Sequence, residues 1–410
     1  MSDMIDVQDI NAVMDEGPAF DAAVDEARAL RRHLHHHPEL AFEEFATADL
    51  VAGKLEEWGY EVARGVGGTG VVGRLRHGGG TRALGLRADM DALPITEATG
   101  LDYASGRPGV MHACGHDGHT AMLLGAARRL AETRRFSGVL NLIFQPAEER
   151  GFDSGAAAML GDGLFERFPC DRIYAIHNLP GAESGVFLFR DGGFLAAGDR
   201  VFVTIRGKGG HAARPHQSVD PILAASSIVM NLQSVVARNL DPEEAAVVTV
   251  SRFNAGEALN VIPEAAQLGL SIRSFDPAIR SLIKERVLGL VNATAQAYGA
   301  EAEVRYVHGY PVVRNDADAS ALGASVAGRL FGESRVVRGA RRSMGSEDFA
   351  YMLEQVPGAM IRLGNGCGSG AAGLHTPQYD FNDDNLPHGI RFWTALAETY
   401  LVDDRASRPT

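Results

Sequence analysis

The chain has 410 residues, 45% of them hydrophobic and 22% charged, which is a soluble globular balance with apolar area for about two domains rather than one. Acids outnumber bases 52 to 39, and the resulting formal charge of -13, with no Lys/Arg stripe, argues against nucleic acid as a partner. The opening MSDMIDVQDI lacks an apolar signal core, no uncharged apolar run approaches about 18 residues, and Cys114, Cys170 and Cys367 are too few for a disulfide framework; the expectation is a cytoplasmic protein, away from membranes, with free or ligating thiols.

In chain order, periodicity predicts helices over 20–33 and 43–58, then strands at GVVGRLR (70–76) and ALGLRAD (83–89). A helix over 118–132 leads to the buried strand VLNLIFQ (139–145), and RIYAIH (172–177) reads as another strand. Near the C-terminus the α/β alternation resumes with helices around 316–331, 346–354 and 386–401 and the strand AMIRLG (359–364). Between these parts, VFVTIRG, a helix over 218–238, AVVTVSRF, QLGLSIRSFD, a helix over 277–298 and EAEVRYVH spell β-α-β-β-α-β, the order of a ferredoxin-like unit. Such a unit can build its own core. The expected organisation is therefore an α/β domain made of residues 1–193 and 311–410, with 194–310 inserted as a second domain. The glycine-rich LGNGCGSGAAG (363–373) reads as a loop.

Candidate ligands fall where predicted strands run out: Asp89 and Asp91 after ALGLR, Glu148 and Glu149 after VLNLIFQP, and His177 at the end of RIYAIH. Sites in open α/β sheets assemble at such carboxyl ends. Cys114 and His116, in MHACGHDGHT, open a helix, and His375 lies in the glycine-rich region. Sulfur, nitrogen and oxygen donors together suit a borderline-soft divalent cation such as zinc, with manganese or cobalt also compatible. Taken singly, Cys-x-His can be packing and Glu-Glu a solvated helix start. Two carboxylates directly after a buried strand are hard to explain as surface decoration, whereas a site needs one as ligand and one as base. Two other classes stay open, namely Cys114 as an acylating nucleophile with His116 as its base, and a purely structural metal. RRHLHHHPEL (31–40) also carries four histidines, but they end a helix just before Pro38, which favours a structural role.

With these residues assembled, the sequence resembles the aminoacylase/carboxypeptidase family of metal-dependent amidohydrolases, in the branch with hippurate hydrolase, N-acyl-amino-acid amidohydrolases and auxin-conjugate hydrolases. The motifs HLHHHPEL, LRADMDALPI, MHACGHDGH, FQPAEE, HNLPG, GKGGHAARPH, NVIPE, MGSEDFA and LHTPQYDFND occur in family order over nearly the whole chain. The resemblance implies a mixed-sheet, metallopeptidase-like catalytic domain and an inserted lid and dimerisation domain. It implies two divalent ions per subunit (Zn, Mn, Co or Ni), bridged by Cys114 and completed by His116, Glu149, His177 and His375. Asp89 stands where many branches carry a ligand histidine, and His116 takes over that position's work. Asp91 matches an acid that orients a ligand, and Glu148 matches the general base that takes a proton from a metal-activated water and hands it to the leaving amine. His211, Asn260 and Arg273 match positions that bind the scissile carbonyl or the substrate carboxylate, with His211 reaching across a homodimer; Gly209 and Gly210 are expected to let it approach the partner closely. His112 and His119 are expected to be loop hydrogen-bonders, and Glu347 and Asp348 lie near the site without an assigned role. The implied reaction is hydrolysis of small N-acyl-amino acids, hippurate-like or N-acetylated, with a dipeptidase or aminopeptidase-like exopeptidase on the same machinery as the alternative.

Overall fold

A computed structural model describes residues 17–367 and 372–402, so MSDMIDVQDI and residues 368–371 of the glycine-rich loop lie outside the described residues. The chain forms two compact units. The first runs to Phe194 and includes Arg314–Arg341 and the residues from Asp348 on; the second is Leu195–Val313 with Arg342–Glu347. Among the described residues no helix is long and apolar enough to cross a membrane.

The first unit is built on an eight-stranded mixed sheet in the order Glu61–Val66, Gly70–His77, Gly138–Gln145, Ala83–Asp89, Arg172–Pro180, Gly358–Gly366, Phe187–Phe189, Val336–Arg338. The four strands from Gly138–Gln145 to Gly358–Gly366 are mutually parallel. Ala83–Asp89 is buried at every position, the signature of a parallel strand covered on both faces, which is why ALGLRAD reads as a continuous run rather than an alternation. Helices His116–Thr133 and Leu386–Tyr400 pack over it, and Leu84, Leu86, Leu123, Phe144, Tyr174, Ile361 and Trp393 share one core. Parallel direction brings the ends of these strands out on one edge, where Asp89, Gln145 and the residues after them gather.

Three details differ from the expectation. His177 lies inside its strand, which continues to Pro180 because residues 178–180 keep pairing with the neighbouring Gly358–Gly366 strand. The helix expected over 346–354 shrinks to Phe349–Leu353, preceded by a turn in which the Gly345 N–H donates to Ser343 Oγ. The strand Glu61–Val66 escapes pattern reading because it is mostly exposed and carries no apolar run.

The second unit has the antiparallel strand order Ala246–Ala255, Ala265–Ser274, Ala197–Arg206, Glu301–His308, the ferredoxin-like arrangement. Helices Pro221–Asn239 and Pro277–Ala297 pack on it through Ile228, Leu232, Val287 and Val291 against Val201, Val203, Leu268 and Leu270. Both helices start the same way: Asp220 and Asp276 accept the N–H two residues on, at 2.8 and 2.7 Å, with proline in the first turn. Gly209 and Gly210 have a local reason to be glycine, since a Cβ would strike the Ile262 carbonyl at the first and Ser218 Oγ at the second.

Candidate metal centre

Backbone constraints bring the candidate ligands together. Gly115 sits at φ 91°, and a Cβ there would strike the Asn178 amide and the Tyr379 hydroxyl, so the residue between Cys114 and His116 must be glycine. Ala147, at φ 52°, turns the chain after its strand so that Glu148 and Glu149 share one 3-10 turn. The buried Glu44 carboxylate accepts the Ala147 N–H at 2.8 Å and the Thr69 hydroxyl, holding that turn from below. The His375 N–H donates to the Ala113 carbonyl at 2.7 Å, which ties its loop to the cysteine segment.

Cys114, His116 and His177 offer ligand atoms within 4.8 Å of one another, as do Cys114, Glu149 and His375, and also His116, Glu148 and Glu149. Two of these trios share Cys114. His177 donates Nδ1–H to the Asn178 carbonyl at 2.7 Å and turns Nε2 to Cys114 Sγ at 3.4 Å. His116 Nδ1 meets the Asp91 carbonyl at 2.9 Å and Asp91 Oδ1 at 3.1 Å, while its buried Nε2 has no hydrogen-bond partner among the described residues. A carbonyl oxygen only accepts, so in both rings Nδ1 is the donor and Nε2 faces the cluster, the tautomer a metal ligand needs. A buried ring nitrogen without a partner is costly in itself, and a cation is the partner that fits a site of this donor set. His375 Nε2 is 3.0 Å from Glu149 Oε1, and Asp91 Oδ2 accepts the Glu149 N–H at 2.9 Å, so Asp91 fixes one candidate ligand's ring and another's backbone.

Burial and neighbouring charges shift three of the candidate ligands in different directions. Burial pushes the Cys114 thiol well up, with Glu149 adding to it. Burial opposes charge on His116, but Asp89 and then Cys114 outweigh it and hold its pKa well above the ordinary value. Burial, aided by His119, pushes His177 well down, which keeps it neutral.

His211, Asn260 and Arg273 belong to the second unit. His211 is exposed, accepts the Ala213 N–H on Nδ1 at 3.1 Å, and lies beside Asn260, whose carbonyl accepts the Ala212 N–H at 3.0 Å. Arg273 Nη1 donates to Ser346 Oγ at 2.5 Å. Glu347 is buried in the second unit; Asp348, buried in the first, accepts from Arg87, from the Gln145 amide and from the Ala156 N–H. The reading of His112 and His119 as loop hydrogen-bonders needs correcting. Both ring nitrogens of His112 are buried with no partner among the described residues, and His119 lies in the helix His116–Thr133.

The upstream histidines do structural work. His35 is buried between Asp117 at 2.8 Å and Glu97 at 3.3 Å, His36 pairs with the Ala104 carbonyl, and His37 with that of His33. Burial opposes a charge on His35, but Asp117 and Glu97 outweigh it and raise its pKa to about 9. The ionic stabilisation is therefore complete below its unfolded pKa of about 6.5, declines as pH rises and is lost above about 9. His35→Gln should lower the melting temperature most near pH 6, and the gap to the parent should narrow by pH 9.5; a gap that widens with pH would contradict this.

Comparison with known proteins places this geometry in context. The sequence model described as peptidase family M20/M25/M40 matches residues 85–399. The chain is 43% identical to a hippurate hydrolase of Campylobacter jejuni, over 92% of this chain and 97% of that one. It is 39% identical to an N-acetyl-L-cysteine deacetylase of Bacillus subtilis, over 92% and 89%. Among solved structures, the Bacillus subtilis YXEP protein, described as a dinuclear metal-binding peptidase of the M20 family, superimposes with a TM-score of 0.80 at 33% identity, covering 93% of this chain and 99% of that one.

Proposed function

Because the chain belongs to peptidase family M20/M25/M40, we propose that it hydrolyses the amide bond of small N-acyl-amino acids, hippurate-like or N-acetylated, to a carboxylate and a free amino acid. The observation that carries this reading is the pair of ligand trios meeting at Cys114. Cys114, His116, Glu149, His177 and His375 would hold two divalent ions; a thiolate, imidazole and carboxylate set suits Zn, Mn, Co or Ni. When bound, such ions supply positive charge that polarises a carbonyl and makes water a better nucleophile near neutral pH. Glu148 takes the proton from the attacking water and passes it to the leaving nitrogen. Asp91 keeps His116 in its ligand tautomer. Arg273 and Asn260 hold the substrate's carboxylate and carbonyl, and His211 donates to the oxyanion.

Assaying hippurate, N-acetyl-amino acids and dipeptides with Zn, Mn and Co tests the substrate class. The expected result is kcat/KM for N-acyl-amino acids above that for dipeptides by about tenfold or more, equivalent to at least about 1.4 kcal/mol. The reverse ranking would favour an exopeptidase.

The same reading includes a homodimer through the second unit. Its helix Pro221–Asn239 exposes Ile222, Leu223 and Met230, and the strand Ala246–Ala255 ends the sheet with Phe253 exposed. An open strand edge beside an apolar helix face suits a second copy related by a two-fold axis. Leu223→Glu with Met230→Glu should give a monomer in analytical ultracentrifugation and lower activity by about a hundredfold if His211 serves the neighbouring site. A fully active monomer would refute the shared site.

A further inference from the structure

The strand residue Asp89 and the helix residue His119 are outside the ligand set proposed above; both are buried, and with His116 they form a further trio whose ligand atoms lie within 4.8 Å of one another. His119 Nε2 lies 3.0 Å from the backbone nitrogen of Asn178, and its Nδ1 lies 2.6 Å from Asp89 Oδ1. A backbone N–H can only donate, so Nε2 is the acceptor, Nδ1 carries the proton and the Asp89 carboxylate receives it. Asp89 Oδ2 accepts from Arg87 Nη1 at 2.7 Å, and the Thr120 hydroxyl donates to the Asp89 carbonyl at 2.8 Å. Both carboxylate oxygens thus have donors inside the protein, and Oδ2 also lies 3.7 Å from His116 Nε2, so Asp89 is placed to support that ring as well.

What this pair grips is the residue that follows His177. The Asn178 side chain donates Nδ2–H to the Cys114 carbonyl at 2.5 Å and accepts the Tyr379 hydroxyl on Oδ1 at 2.8 Å. Asn178 therefore joins the backbone of Cys114 to that of His177, and Gly115 is bare because this amide and hydroxyl occupy the space a Cβ would need.

We infer that Asp89, His119 and Asn178 form a positioning relay that holds Cys114 Sγ and His177 Nε2 at their 3.4 Å separation, ready to share a cation. The inference rests on the dinuclear reading above. Without the relay the strand after His177 and the turn at Cys114 would each relax, and a chelating pair that must first be ordered binds more weakly. Losing partners that orient metal ligands typically weakens metal affinity by about ten- to a hundredfold.

The test is Co(II) binding to metal-depleted protein, read by chelator competition and by the thiolate-to-Co(II) charge-transfer absorption. His119→Ala is expected to bind Co(II) about ten- to a hundredfold more weakly, with a weakened or shifted band. His119→Gln, whose planar amide offers one donor and one acceptor, should recover most of the loss, which a merely space-filling role would not predict. Tyr379→Phe, which keeps the ring and loses only the hydroxyl, provides an independent arm should His119→Ala fail to fold, and should weaken binding several-fold. Parent-like affinity and band in His119→Ala and Tyr379→Phe, or no recovery in His119→Gln, would overturn the relay while leaving the metal centre standing. A parent protein with no thiolate-to-Co(II) band would overturn the metal reading, and the relay with it.

Discussion

Glu148→Gln is expected to lower kcat by about two orders of magnitude or more while metal content stays near that of the parent. Glu148 opens the 3-10 turn at the end of Gly138–Gln145 and is only 7% exposed, so the substitution changes little in shape. Glutamine keeps size and hydrogen bonding and removes the one property a general base needs. Its neighbour is expected to behave differently. Glu149 shares a trio with Cys114 and His375, and Glu149→Gln should weaken metal binding first and activity as a consequence. Single-turnover kinetics with elemental analysis separates the two, and an exchange of phenotypes would shift the assignment by one position.

Cys114→Ala should have the larger effect, with metal and activity lost together. The reason is geometric: Cys114 belongs to two of the three trios named above, so one truncation removes a ligand from each of those two. The competing view of Cys114 as an acylating nucleophile makes the opposite forecast, namely turnover without metal and a trapped acyl-enzyme on the sulfur. Iodoacetamide discriminates further when alkylation is mapped to Cys114: bound metal should protect the sulfur, and chelation should raise its rate, from the slow baseline expected of a buried thiol whose pKa is pushed up. Alkylation at equal rates with and without metal would contradict a ligating Cys114.

The sequence carries the candidate ligand types well and the contacts that surround them poorly. Cys114, Glu149 and His177 stand out because polar residues follow or interrupt apolar runs, and a parallel sheet brings such positions to one edge. Asn178 and Tyr379 give no such signal; an asparagine in HNLPG and a tyrosine in TPQYDF look like ordinary loop chemistry until the fold packs them around Gly115. His119 looks interchangeable with His112 as a string of letters, yet one turn of helix places it against Asp89, whereas His112 is buried with neither nitrogen paired among the described residues. The end of the His177 strand is not legible, because residues 178–180 are held there by pairing with a strand about 180 positions later, a long-range interaction that local propensity does not encode. The order of elements in the second unit is legible, since both helices announce themselves with Asp-Pro starts between short β-prone runs.

The most direct test of the central claim is titration of exhaustively chelated protein with Zn or Mn while glycine release from hippurate is followed. The account predicts no turnover in the metal-free protein and recovery that saturates at two ions per chain. Full turnover in protein shown by elemental analysis to contain no metal would contradict it.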